Sequence, residues 1–253
     1  MYSEDDYFDT IRSIREEIRQ FNPAFVLTIG DSNILGDSCQ EFTDVVTMGC
    51  TNTVTITASR IIARYFANTK EIMKMFEQCL EEEQTVIEYV HADELEPLEE
   101  SEYTRESLQI EQKDFVIIIA GNRLDAEVKQ DVIDILNIIL KEELQCKVLF
   151  IGDCKKLEKR LQQNQYWNRF RFVGETENFR ATIALGDLFL NPPRKGGGTG
   201  ALYAAQSGVP VLTLGNCDVA YIGERVVCDK LEDMPEIVHR YIYDEKFMRE
   251  QKE

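Results

Sequence analysis

The segment from Asp187 to Gly200 (Asp-Leu-Phe-Leu-Asn-Pro-Pro-Arg-Lys-Gly-Gly-Gly-Thr-Gly) constrains the fold more than any other part of the chain. An apolar run, Leu188 to Leu190, stops at Pro192-Pro193. Arg194 and Lys195 follow, then four glycines in five positions, then the helix-forming stretch Ala201 to Ser207, closed by Gly208. The order is strand, loop, helix. Bare backbone N–H groups, a helix N-terminus and fixed positive charge fall in one place, and that combination binds phosphate. A flexible turn is the plain alternative. Three successive glycines beside two cations are more than a turn needs.

Charge sharpens the point. Lys and Arg number 28 against 46 Asp and Glu, for a net charge of −18. Such a surface repels nucleic acid and anionic lipid, so an anionic ligand needs a local well like the one at Arg194-Lys195. The seven cysteines (39, 50, 79, 146, 154, 217 and 228) form no CxxC pair, which argues against a disulfide framework or a zinc site and for a reducing compartment. The two histidines, His91 and His239, stand apart from any metal-ligand cluster. No bound metal or cofactor is expected. No apolar run reaches membrane-span length, and the acidic N-terminus is not a signal peptide, so the chain reads as cytoplasmic.

Along the chain, residues 7–20 carry apolar side chains at helical spacing, and Asn22-Pro23 ends that helix. Ala24 to Ile29 reads as a buried strand, with Gly30-Asp31-Ser32-Asn33 turning at its C-terminal end. Further strands are expected near Thr43–Met48 and Thr53–Ile56, and helices through Ile61–Phe66 and Lys70–Leu80. Residues 91–107 are rich in acids and read as a solvated linker.

Beyond it the rhythm is regular. Phe115–Ala120 is a continuous β-branched run of the kind buried on both faces. A helix over Glu127–Lys141 follows, then a strand at Lys147–Ile151, a helix at Leu157–Gln163, a strand at Arg169–Val173 and a helix at Phe179–Leu185. Strand 188–190 enters the glycine loop; Val209–Leu214 is another strand and Met234–Tyr243 a closing helix. This alternation predicts an α/β fold with a doubly wound parallel sheet. Ligands bind such sheets at the carboxyl ends of the strands, here Gly121-Asn122-Arg123, Gly152-Asp153, Gly174-Glu175, Arg194-Lys195-Gly196 and Gly215-Asn216. No GxGxxG follows the first strand of either half, and GxxxxGK[ST] is absent, which disfavours a nicotinamide dinucleotide and a P-loop NTPase.

Six pieces of the second half come in a fixed order: Gly121-Asn-Arg-Leu-Asp125; Val148-Leu-Phe-Ile-Gly-Asp153; Arg171-Phe-Val-Gly174; Asp187 to Thr199; Ser207-Gly-Val-Pro-Val-Leu-Thr213; and Asp218-Val-Ala220. This string, over residues 112–250, resembles the nucleotide-sugar-binding domain of group 1 glycosyltransferases of the two-domain GT-B fold. The resemblance implies a Rossmann-like donor domain over 112–253, an acidic linker over 91–111, and a smaller, truncated α/β remnant of the acceptor-side domain over 1–90. It implies Arg123 and either Arg194 or Lys195 on the donor diphosphate, with backbone N–H groups of Gly197, Gly198 and Thr199 meeting the donor at the start of the next helix. Preorganised donors and cations there would stabilise the departing diphosphate.

Gly174 and Glu175 stand where such enzymes hold the nucleoside; Glu175 reads equally as a solvated turn acid, and Arg123 has a surface reading too. Tyr203 stands in the register of a Glu that commonly binds the donor ribose, Gly200 where a Ser is common, and Cys217 where a Gly often precedes Asp-Val-Ala. A tyrosine donates one hydrogen bond but supplies no carboxylate for two hydroxyls. Asp31 is the weak candidate catalytic residue; it could contact a sugar across an interdomain cleft or simply cap the following turn. The implied activity is metal-independent and retaining hexosyl transfer from a UDP- or GDP-sugar to a bacterial-type glycan or a protein-linked acceptor, by an enzyme that is degenerate or a segment of a longer one. A GT-B-like subunit that binds an acceptor polypeptide or a catalytic partner is the second reading.

Overall fold

The computed structural model describes residues 4–50, 54–65, 70–89, 98, 100–215, 217–222, 225 and 227–252. The chain divides into two compact units, Met1–Asp93 and Glu94–Glu253. His91, the first part of the expected linker (91–97), Thr53 and Asn216 lie outside the described residues.

In the first unit, helix α1 (Glu4–Phe21) leads to β1 (Phe25–Ile29), α2 (Ile34–Cys39), β2 (Asp44–Met48), β3 (Ile61–Tyr65), α3 (Lys70–Cys79) and β4 (Thr85–Tyr89). The four strands form one parallel sheet in the order β1-β2-β3-β4. The stretch 61–65, expected as helix, is therefore a strand. Ile-Ile-Ala-Arg-Tyr is rich in β-formers and lies between β2 and β4, with Ile62 and Arg64 buried on one face. The strand expected to end at Ile56 is absent among the described residues. Residues 54–59 join no ladder, and the Ile56 N–H instead donates to the Asp31 carbonyl at 2.8 Å. Strand β1 also differs from expectation. It is an edge strand, and Phe25, Leu27 and Ile29 are 57%, 50% and 62% exposed, while Thr28 on the other face is buried.

In the second unit, β5 (Phe115–Ala120) is followed by a short α4 (Leu124–Glu127), α5 (Gln130–Glu142), β6 (Cys146–Ile151), α6 (Lys155–Leu161), β7 (Phe170–Val173), α7 (Phe179–Ile183), β8 (Leu188–Leu190), α8 (Gly198–Gln206), β9 (Val211–Leu214), β10 (Val227–Cys228), α9 (Met234–Tyr243) and α10 (Glu245–Lys252). All strand pairings are parallel, in the order β10-β9-β8-β5-β6-β7. Counted from β5 this is 3-2-1-4-5-6, the doubly wound order, with its topological switch between β5 and β8. Val116 to Ile119 are wholly buried, as a strand covered by helices on both faces requires. One core layer joins α5, α6 and α9 to the sheet through Leu136, Leu157 and Val238; the other joins α7 and α8 through Ile183, Ala201 and Ala204.

The described residues over 98–111 are not a free linker, as the acid density had suggested. Ile110 is buried, and Tyr103 and Leu108 pack on the core of the second unit. Arg105 clasps the strap: it donates to Asp187 Oδ2 (2.6 Å), to the Leu185 carbonyl (2.9 Å) and to the Asp114 carbonyl (3.1 Å). Arg171 Nε donates to the Leu108 carbonyl at 2.5 Å. These apolar residues and two arginines outweigh the local charge.

Candidate functional site

The switch point places two loops face to face, the one after β5 and the one after β8. Gly121-Asn122-Arg123 leaves β5, and the chain from Asn191 to Gly197 leaves β8. Between them and the ends of β6 and β7 lies a cavity of about 520 Å³. Its wall includes Gly121, Asn122, Arg123, Glu127, Gly152, Gly174, Glu175, Thr176, Phe179, Arg194, Gly197, Thr199 and Gly200.

The glycine loop folds as it does because two of its residues take conformations that favour glycine. Gly196 and Gly197 have φ of +91° and +87°. Gly197 is the N-cap of α8, and among the described residues no side chain caps it. The first N–H groups of α8 therefore open, with no side-chain acceptor among the described residues, next to cavity-lining Thr199 and Gly200. Gly198 begins the helix. The Gly196 N–H is already used: it donates to Asp218 Oδ2 at 2.5 Å, which ties the loop to the Asp218-Val-Ala segment.

The two arginines play different parts. Arg194 is a buried strut, its side chain only 2% exposed. Nε donates to Asn191 Oδ1 (2.7 Å), Nη1 to Glu127 Oε2 (2.9 Å) and Nη2 to the Ala120 carbonyl (2.7 Å). Asn191 is itself fixed, donating through Nδ2 to Thr213 Oγ1 at 3.1 Å. One guanidinium thus ties the ends of β5 and β8 together. Burial holds its pKa below the ordinary guanidinium value, and the Glu127 carboxylate opposes that shift. Arg123 is the exposed cation by comparison, with 63% of its side chain open to solvent. Its Nε donates to Glu127 Oε1 (3.0 Å) and its Nη2 to the Lys195 carbonyl (3.0 Å), which brings it against the glycine loop.

Of the residues expected at the site, Arg123, Arg194, Gly174, Glu175, Gly197 and Thr199 meet on one cavity wall. Lys195 contributes its carbonyl to Arg123, while the residue itself is exposed and is not part of the wall. Tyr203 stands one layer back in α8, its ring edge-on to Phe179 at 6.2 Å between centroids. Asp31 belongs to the other unit, where its backbone carbonyl holds Ile56. Sequence reasoning missed Glu127 and Phe179. Glu127 had a signal: it stands four residues after Arg123 on a helical turn, the spacing of an ion pair. Phe179 read only as the start of a helix.

No family model and no curated sequence matches the chain. Solved structures do. A crystal structure of WaaG, a glycosyltransferase involved in lipopolysaccharide biosynthesis, aligns with a TM-score of 0.66 at 13% identity, over 94% of this chain and 74% of that one. Anabaena HepE, solved in complex with UDP and glucose, aligns with a TM-score of 0.67 at 14% identity, over 94% and 72%. The fold is GT-B. A chain of the GtfA/B complex matches as well, with a TM-score of 0.65 at 12% identity, over 96% of this chain and 55% of that one. The GT-B likeness extends over both units, including the first, whose motifs are sparse. Among the described residues no helix is long and apolar enough to cross a membrane, and no group of three or more His, Cys, Asp or Glu side chains could hold a metal ion.

Proposed function

We propose that the cavity binds a nucleoside diphosphate sugar and that the chain is a glycosyltransferase, passing a hexose-type sugar to a glycan or protein-linked acceptor without a metal ion and with retention. The observation that carries this reading is the meeting of an uncapped α8 N-terminus with Arg123 at the switch point of a GT-B donor-type sheet. The α8 dipole and N–H groups would take one phosphate, and the outward donors of Arg123 the other. Both are in place before any substrate arrives, so they stabilise charge on the departing diphosphate without reorganising. Gly174 adds space at the β7 end: a side chain there would meet nothing within 4 Å, which suits a nucleoside lying across that loop. Phe179 offers it an aromatic wall. Two structures of this fold solved with UDP, one also holding glucose and the other fondaparinux and α-GlcNAc-glycerol, favour the same assignment.

Calorimetric titration with UDP, GDP and ADP tests it, and no binding of any of them at millimolar concentration defeats it. Where binding is found, Arg123→Gln is expected to weaken it by roughly 10- to 100-fold, the worth of a charge-assisted hydrogen bond, with the melting temperature unchanged because that side chain is largely exposed.

A non-catalytic GT-B-like subunit is the second reading, favoured by Tyr203, whose ring packs on Phe179 in place of a ribose-binding carboxylate. Tyr203→Glu separates the two. A working site should change its nucleotide affinity by no more than about fivefold, since the new carboxylate costs an edge-to-face contact worth about 1 kcal/mol. A gain of tenfold or more points to a decayed donor site.

A further inference from the structure

The cavity wall carries four formal charges, Arg123 and Arg194 against Glu127 and Glu175, and so is neutral in sum. Glu127 is the unusual member. Its side chain is 13% exposed and lies inside the site, where one oxygen accepts from Arg123 and the other from Arg194. A carboxylate already sits between the two guanidiniums that a phosphate would seek. Arg194 cannot leave it without abandoning the Asn191 and Ala120 contacts as well. Arg123 can, because most of its guanidinium faces solvent.

We propose that Glu127 is the internal counter-ion of the donor site, and that it makes the site prefer the sugar ester of a nucleoside diphosphate over the free nucleoside diphosphate. The inference rests on the donor-site reading above. The physical basis is charge. In a nucleotide sugar each of the two phosphates carries one charge, about two in all. The free diphosphate ends in a terminal phosphate, bound only through the anhydride oxygen and with a second pKa near 6, and so carries close to three at neutral pH. In a cradle with two uncompensated arginines the extra charge would be attractive, and the product would bind more tightly than the donor. With Glu127 held between the arginines, the terminal oxyanion of the product meets a fixed carboxylate at short range in a partly buried site, where such repulsion is poorly screened. Glu127 therefore raises the relative affinity for the unspent donor and speeds the departure of the product.

The test is calorimetric titration of the full chain with the pairs UDP and UDP-glucose, and GDP and GDP-mannose. The wild-type protein is expected to bind the sugar ester at least as tightly as its free diphosphate. Glu127→Gln keeps an oxygen acceptor and an amide in the same volume but removes the charge. It is expected to bind the free diphosphate at least tenfold more tightly than wild type, with a gain of threefold or less for the sugar ester and a steeper loss of affinity with added salt. A folded Glu127→Gln protein that gains equally for both ligands, or for neither, overturns the proposal. So does a wild-type protein that binds the free diphosphate tenfold more tightly than the ester, and that comparison needs no variant to fold. Failure of both members of both pairs to bind any form of the protein overturns the donor-site reading along with this one; binding in the wrong order overturns this one alone.

Discussion

Replacing Gly152 by alanine is expected to destabilise the second unit by at least about 3 kcal/mol and to abolish nucleotide binding. Gly152 follows β6 with φ of +115°, a conformation that L side chains rarely adopt. A Cβ at that position would fall on the Gly121 carbonyl oxygen, which is backbone and cannot swing aside. Gly121 in turn opens the loop that carries Arg123, and a Cβ on Gly121 would lie 2.5 Å from Arg194 Nη1. The backbones leaving β5 and β6 thus touch where both must turn, and separating them moves the cation away from the glycine loop. For a unit of this size the melting temperature should fall by about 6–12 °C, read by differential scanning calorimetry. Gly174→Ala is the control. It meets open space, so its melting temperature should match wild type. A Gly152→Ala protein as stable as that control would show that the loop tolerates a side chain.

Arg194→Ala is expected to cost about 3–5 kcal/mol, because it removes one partner of a buried ion pair and leaves the other behind. Glu127 would remain inside the wall with only the exposed Arg123 for company, and Asn191 Oδ1 and the Ala120 carbonyl would lose their donors. Arg194→Lys should restore little, since one ammonium cannot reproduce three hydrogen bonds spread over a planar fork. Urea unfolding reads the effect as a lower midpoint at constant slope. The contrast with Arg123→Gln distinguishes the two arginines: one variant should lose stability and binding together, the other binding alone. If Arg194→Ala were to bind nucleotide weakly and yet unfold like wild type, its role would be that of a ligand and not a strut.

The second unit was legible because its central strands are buried on both faces. Phe115–Ala120 announces itself as an unbroken apolar run and Val209–Leu214 as one interrupted only by Pro210 and Thr213, and the glycine loop marks a strand-to-helix turn by composition alone. The meeting of Arg123 with the loop follows from strand order, since both loops leave neighbouring strands at the same edge. What did not show was which cation is spent. Arg194 and Lys195 are adjacent in sequence and equal in charge, and only the fold decides that the first turns inward to Glu127 while the second stays in water. The first unit was harder. Ile61–Tyr65 is short and apolar, and strand and helix readings of such a stretch are separated only by the neighbours it pairs with, β2 and β4. The strap at 100–111 was masked by its acids, although Arg105 and Ile110 hold it down.

The open border at Phe25–Ile29 has a bearing on how the protein behaves in concentrated solution. That strand has no lysine, proline or bulge to discourage pairing, and it shows three large aliphatic or aromatic groups to water. Colloidal repulsion from eighteen excess negative charges is the main force keeping such borders of different molecules apart. Added salt shortens the range of that repulsion to about 8 Å at physiological strength. Turbidity that grows with ionic strength, and falls again when Leu27 is replaced by lysine, is the behaviour this border entails.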